Sequence, residues 1–395
     1  MRIAKIEDFH TDGGTKVWSF LKITTDEGLV GWSEFNDGIL GSFGLTPLLR
    51  KLGEFVIGLD PLAINALTAK LYAMTRIAAG GINAQAAAAI ENACLDIKGK
   101  ALGVPVYELF GGALRERVPI YWSHCGMSRV VHGERLGTPP LRNLDDVKAL
   151  GQEAVRRGFK ALKTNLILFD GPQPRMYRPG HGAGPGHPER NLEPRILAAM
   201  VDLLAAFRDG AGPQTGLMID LNFNFRPEGL RRIAKAVEPI DLTWLEIDLY
   251  EPRALALIRQ STTTSIASLE AIYGRGGYLP YFENYAVDTA IVDPVWNGFS
   301  EAMKIASLAD TFELNVAPHT FCSPFHTLIS THFAAAIPNL RIMEHDVDIV
   351  PWHQDLFGAI PQIENGEVVV PKKPGWGAEI DEQAIRAHPP RPRAP

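Results

Sequence analysis

The order of apolar segments predicts an α/β fold, a parallel β/α barrel of the TIM type, preceded by a separate α+β unit. Three observations predict it. Eight short apolar strand candidates alternate with amphipathic helical patterns from Val118 to Glu344. No GxGxxG follows the first of them, which argues against an open doubly wound sheet. The chain is 395 residues long with 46% hydrophobic and 21% charged residues, enough for a large barrel with additions and unlike a disordered or fibrous chain.

The opening reads as an antiparallel hairpin, Val17–Thr24 and Gly28–Glu34, around the turn Asp26-Glu27-Gly28. In Ala84–Ala101 the positions Ile90, Cys94, Ile97 and Ala101 recur at helical spacing until Gly103 and Pro105 stop the pattern. Residues 1–115 therefore form the first unit. The barrel strands are expected at Val118–His124, Phe159–Asn165, Gly216–Asn222, Leu242–Asp248, Ser265–Glu270, Thr289–Asp293, Asn315–His319 and Leu340–Glu344. Helices are expected at Asp145–Arg157, Leu192–Phe207, Glu228–Val237 and Ser300–Asp310, so that the barrel spans 116–345. Phe169–Asn191 is too long and too rich in Pro and Gly for an ordinary βα turn and is expected to act as a lid or specificity loop. The segment Phe9–Lys16, with Asp12-Gly13-Gly14-Thr15, is expected to be mobile and to cover the same mouth. In the final segment, 346–395, the run Val368–Val370 is a strand expected to pair with the first unit, and Pro389–Pro395 should fray.

Lys plus Arg number 39 and Asp plus Glu 45, a net charge of −6 without a basic cluster, so no nucleic-acid partner is expected. Cys94, Cys125 and Cys322 form no CxxC or disulfide framework. With no apolar stretch long enough for a signal or membrane span, a cytoplasmic protein is expected.

The function lies at the strand ends. Lys163, Asn165, Asp220, Asn222, Glu246, Asp248, Glu270, Asp293, His319 and Glu344 cluster there, and the intervals from Asp220 to Glu344 are 26, 24, 23, 26 and 25 residues, one βα unit each. In a closed barrel such residues converge on one mouth. Taken singly, an acidic residue after a strand is more often a helix cap or a surface charge. Jointly, Asp220, Glu246 and Glu270 offer three hard oxygen ligands that would repel without a cation. Mg²⁺ suits them better than zinc, because neither Cys nor His is among them.

Ala161-Leu162-Lys163-Thr164-Asn165, Asp220-Leu221-Asn222, Trp244-Leu245-Glu246, Leu269-Glu270, Asp293 and Ala317-Pro318-His319 strongly resemble the enolase superfamily, in particular its mandelate racemase subgroup. So do Thr25–Glu34 and the helix containing Ala93–Gly103. The resemblance implies a capping domain completed by the C-terminal segment, a (β/α)7β barrel, Mg²⁺ on Asp220, Glu246 and Glu270, and a His319–Asp293 dyad. It implies abstraction of a substrate α-proton by His319, whose tautomer Asp293 would fix. Glu344 would donate a hydrogen bond to the substrate carboxylate if the site raises its pKa, and Lys163 would support the carboxylate or the enediolate.

The subgroup's usual Lys-x-Lys is Lys163-Thr164-Asn165 here, so the base of the opposite face is missing and two-base racemisation is disfavoured. The Lys-x-Asn variant is similar to galactonate dehydratases, although their histidine acid, two residues after the first metal ligand, is Asn222 here. Asn165 and Asn222 are expected to bind substrate. The usual Gly-Glu is Leu269-Glu270, the usual Glu-Glu-Pro is Glu246-Ile247-Asp248, and Trp296-Asn297-Gly298 replaces a Gly-Gly. The expected activity is Mg²⁺-dependent dehydration of an acid sugar, an aldonate or aldarate, to a 2-keto-3-deoxy acid, by a homo-oligomeric enzyme. A racemase, epimerase or lactonising isomerase and a non-catalytic acid-sugar binder are the alternatives. His319 would protonate the leaving hydroxyl itself in a syn elimination; otherwise Tyr177, His181 or His187 would supply the acid.

Overall fold

The computed structural model describes residues 1–38, 43–179 and 187–391. The first unit is a three-stranded antiparallel sheet, Ile3–Asp12, Val17–Thr25 and Val30–Phe35, packed on the helix Gly81–Leu102. The first of these strands was not among the expected elements. Its packed residues Ile3, Ile6 and Phe9 recur every three residues: a bulge between Ile3 and Lys5 shifts the first interval, and in the regular register beyond it Ile6 and Phe9 pack on opposite faces, so no simple alternation marks the strand. The Gly-rich stretch is the tight link between the first two strands, with Asp12 opposite Val17 and the Gly13 N–H donating to the Lys16 carbonyl at 2.9 Å. The long helix buries small residues, among them Ala86, Ala89 and Ala93, which lets the sheet approach closely. At Gly31 any Cβ would run into the Ala93 carbonyl oxygen.

The barrel has eight parallel strands: Arg117–Ser123, Ala161–Asn165, Gly216–Asp220, Trp244–Glu246, Ile266–Ser268, Thr289–Val292, Asn315–Pro318 and Met343–Asp346. Each pairs with the next in parallel from the first to the seventh. The eighth closes the ring against the first, with Glu344 opposite Tyr121, and a parallel bridge from Val316 to Leu340 joins the seventh to its lead-in. The eighth strand thus runs two residues beyond the expected Leu340–Glu344. The helices fall at Leu144–Arg156, Pro194–Ala211, Pro227–Val237 and Phe299–Thr311, close to expectation.

One apolar side chain from each of seven strands, and Ile342 just before the eighth, plug the barrel interior: Tyr121, Ala161, Met218, Trp244, Ala267, Ile291, Ala317 and Ile342. Side chains two residues apart on a strand share a face, so the next inward layer on seven of the strands is Ser123, Lys163, Asp220, Glu246, Asp293, His319 and Glu344. The polar mouth therefore sits directly on a dry floor.

The run near Val368 does not pair with the first unit as expected. Glu367–Val369 lies antiparallel to Arg117–Pro119, at the lower end of the first barrel strand. The return to the first unit comes later. The Gly375 N–H donates to the Val104 carbonyl (3.0 Å), the Trp376 N–H to Asp96 Oδ1 (2.9 Å) and the Trp376 indole to the Trp32 carbonyl (3.0 Å). The His388 carbonyl accepts from the Asp12 N–H at 2.8 Å. No helix among the described residues is long and apolar enough to cross a membrane.

Candidate active site

Barrel register brings the expected residues together. Asn165 stands opposite Asp220, and Asp220 opposite Glu246, on the second, third and fourth strands. Glu270 breaks the two-residue rule, since the inward position on its strand after Ala267 is Leu269. Leu269 has a φ of +95°, and this left-handed residue turns the chain at the point where the buried Glu270 meets the His319 ring, with Oε2 3.4 Å from Nε2. The usual glycine at this position explains itself: glycine takes such a φ freely, whereas leucine bears the strain.

Lys163 is the cation of the site. Its ammonium donates to both oxygens of Glu246 at 2.9 Å and lies 3.1 Å from Glu344 Oε1. Asp220 is held by asparagines: the Asn222 N–H donates to Oδ1 at 2.7 Å, its amide to Oδ2 at 2.8 Å, and the Asn165 amide to Oδ2 at 3.3 Å. Both asparagines are thus turned onto a carboxylate rather than out toward a substrate.

Charges of one sign dominate. Burial pushes the Glu246 carboxyl up to about 8, Lys163 opposing this and Asp220 and Glu270 adding to it. Burial also raises Glu270, and raises Asp248 well above the ordinary range; the Asp248 Oδ2 has no hydrogen-bond partner. Among the described residues no three Asp, Glu, His or Cys side chains are already gathered as a cation cage. Glu246 is turned to Lys163 and Asp220 to the asparagines, so binding would require these side chains to turn. In kind the donors fit Mg²⁺: four buried carboxyls, Asp220, Glu246, Asp248 and Glu270, face a deficit of positive charge, and all are hard oxygen ligands.

On the opposite side of the mouth, Asp293 and His319 form the expected pair. The His319 Nδ1 is 2.7 Å from Asp293 Oδ2, while Asp293 Oδ1 accepts from the N–H groups of Val295 (2.7 Å) and Trp296 (2.9 Å). These bonds and the neighbouring imidazoles outweigh burial and hold Asp293 far below the usual carboxylate range. Burial opposes a charged His319, but Glu344, Glu270 and Asp293 together push it up to about 10.

Glu344 departs from expectation. The donor role required a raised pKa. Although burial acts to raise it, Lys163 and His319 prevail and hold Glu344 at about 2, as an acceptor from the Ser123 hydroxyl and the Thr320 N–H (3.0 Å). Of the candidate loop acids, Tyr177 is buried and stacked on Phe225 at 5.9 Å, His187 is exposed, and His181 lies outside the described residues, as does 180–186 of the expected lid.

Three site residues escaped the sequence reading. His326 Nε2 lies 3.2 Å from Asp293 Oδ1, and His124 Nδ1 lies 2.6 Å from Asp346 Oδ1. Asp346 is two residues beyond Glu344, so the period of two could have found it; His124 follows the inward Ser123 at a left-handed residue, φ +49°, out of phase with the alternation, and nothing in the local pattern marks His326.

Residues 9–111 match the mandelate racemase/muconate lactonizing enzyme N-terminal domain, and residues 146–384 match the enolase C-terminal domain-like family. The chain is 31% identical to the D-xylonate dehydratase of Haloferax volcanii, over 98% of this chain and 90% of that protein. It is 29% identical to the D-galactonate dehydratase of Variovorax paradoxus, over 96% and 93%. A Burkholderia xenovorans structure bearing the provisional name L-alanine-DL-glutamate epimerase superposes with a TM-score of 0.96 at 44% identity, covering 99% of both chains. The same protein is also known bound to magnesium and fumarate. This chain belongs to the mandelate racemase/muconate lactonizing enzyme family of the enolase superfamily.

Proposed function

We propose that this protein is a Mg²⁺-dependent dehydratase of an acid sugar, converting a 2,3-dihydroxy carboxylate into a 2-keto-3-deoxy acid. The observation that carries the reading is one-sidedness: an imidazole–carboxylate pair on one side of the mouth faces an asparagine, Asn165, where a second base would stand. The xylonate and galactonate dehydratases among its relatives support it.

A bound Mg²⁺, held by Asp220, Glu246 and Glu270, would supply Lewis-acid stabilisation of the charge that builds on the substrate carboxylate as the α-proton leaves. His319 takes that proton at Nε2, while Asp293 keeps the proton of Nδ1 in place and stabilises the imidazolium. Lys163 adds positive charge beside the substrate carboxylate. The His319 imidazolium returns the proton to the departing 3-hydroxyl on the same face, releasing water. His319 must be neutral at the start of the cycle, and the field of Glu344, Glu270 and Asp293 that keeps it charged would weaken with a cation held by Glu270.

The epimerase name of the 44% identical structure favours a second reading, inversion at an α-carbon. That reaction needs a proton donor on the other face, where Lys163 is bracketed by Glu246 and Glu344. Incubation with a panel of acid sugars and Mg²⁺ in deuterium oxide separates the readings. A 2-keto-3-deoxy product supports dehydration, deuterium at the α-carbon with inverted configuration supports epimerisation, and neither outcome with any substrate refutes both.

A further inference from the structure

Beside the proposed reaction centre lies a cavity of about 600 Å³. Its walls are the cap turn around Gly14–Val17, the helix that follows the first barrel strand, and Asp346 of the eighth strand. Its charge is lopsided. The Lys16 ammonium is 3.2 Å from Asp346 Oδ2 and 3.3 Å from the centroid of the Phe321 ring. Arg135 pairs with Asp12, and Arg391 lies 3.3 Å from the same carboxylate. Among the described residues the Arg178 guanidinium meets only the Met176 sulfur, at 3.7 Å. Four permanent cations thus line the cavity against two carboxylates, Asp12 and Asp346, a surplus of two positive charges before either histidine is counted. The field is felt locally, for burial together with Arg135 and Arg178 depresses the pKa of His132.

The cavity adjoins the mouth. Phe321 lines it and stacks on His319 with centroids 6.0 Å apart, and Asp346 sits on the same face as Glu344, one layer nearer the opening. His124, also on the wall, spends Nδ1 on Asp346, and no protein group among the described residues meets its Nε2. A substrate whose α-carbon lies at His319 therefore has, beyond Phe321, a positive compartment in which to place its far end.

We propose that this cavity is a subsite for a second anionic group, a carboxylate or phosphate at the end of the substrate remote from the reacting carboxylate, so that the preferred substrate is a dianionic acid sugar. The inference rests on the dehydratase reading for the identity of the near end. Arg178, exposed on the rim and without a carboxylate partner among the described residues, is the cation of this surplus left open to an anion entering the cavity. Arginine is suited to the task, since its planar fork matches either a carboxylate or a phosphate.

The test compares an aldonate with the aldarate of equal chain length and with the terminally phosphorylated aldonate, using the full-length Mg²⁺-loaded protein. Both kcat/KM and the calorimetric Kd are read in wild type and in Arg178→Gln. The expected result is a preference for a dianion of about tenfold or more in wild type, the scale of one charge-assisted hydrogen bond. Arg178→Gln should cut that ratio by about tenfold, and added salt should erode it in wild type. Whether the aldarate or the phosphorylated compound is preferred identifies the anion. An aldonate preferred in wild type, or a ratio indifferent to Arg178→Gln, overturns the subsite and leaves the dehydratase reading standing. No turnover, combined with tighter aldarate binding that Arg178→Gln abolishes, keeps the subsite and removes the dehydratase reading. If Arg178→Gln does not fold, Arg391→Gln, altering a side chain that is 65% exposed, gives the same comparison.

Discussion

Asp293→Asn is the substitution whose consequence is most closely determined by geometry. The Oδ1 of Asp293 accepts two backbone N–H groups, at 2.7 and 2.9 Å, and its Oδ2 faces the His319 Nδ1 at 2.7 Å. In an asparagine the amide nitrogen cannot accept from the backbone, so its oxygen keeps those two bonds and its NH₂ is left facing Nδ1. His319 must then offer Nδ1 as an acceptor and carry its proton on Nε2, the atom proposed to abstract the α-proton. Restoring the productive tautomer would set two donors against each other in a fully buried place. The lost charge-assisted bond and the unsatisfied donor together come to about 3 to 6 kcal/mol, a fall of about 10² to 10⁴ in rate. Asparagine keeps the cap of the helix Pro294–Asn297, but the lost buried charge beside His319 and His326 should lower stability without unfolding the protein, which the melt reads separately from the rate. The assay is α-proton exchange in deuterium oxide by NMR with an acid sugar that the wild type dehydrates, beside product formation and a thermal melt. A folded variant exchanging within threefold of the wild-type rate would refute the assigned role of the pair.

Other outcomes follow from the same charges. Because burial and the neighbouring carboxylates raise the Glu246 carboxyl against the opposing Lys163, Mg²⁺ binding at pH 7 should release protons, visible as a buffer-dependent calorimetric enthalpy, and Glu246→Gln should release fewer. Asp220→Asn should leave the fold intact while abolishing the rise in Tm on adding Mg²⁺ and the Mg²⁺-dependent turnover; an undiminished rise would remove Asp220 from the metal set. The raised pKa of His319 means that the metal-free fold favours the imidazolium. Its contribution to stability is complete below the unfolded value of 6.5 and is lost as pH climbs toward about 10. Denaturant melts from pH 6 to 10 should show that decline, and His319→Asn should flatten it. Trp376→Ala removes a fully buried indole that ties the C-terminal segment to Trp32. It should cost about 3 to 5 kcal/mol in urea unfolding, and a cost below about 1 kcal/mol would mean that the segment does not complete the cap.

Sequence alone determined the barrel, because a strand buried on both sides must be apolar and each βα unit repeats at nearly constant length. The polar residues from Asp220 to Glu344 could therefore be seen to converge before any coordinates were known. Its reach ended wherever a contact joins residues distant in the chain or departs from simple alternation. The first cap strand was hidden by a bulge and by apolar packing on both of its faces, and the pairing of Glu367–Val369 with Arg117–Pro119 spans most of the chain, so no local pattern encodes it. Tertiary structure alone decided the states of the charges. Glu344 reads as a candidate donor until Lys163 is found 3.1 Å from it, and the bonds by which Asn165 and Asn222, expected to bind substrate, also hold Asp220 appear only in the folded mouth. A residue's type states which charges it can carry; its burial and the company it keeps across the barrel decide which it does carry, and those are properties of the folded mouth, not of any segment of the chain.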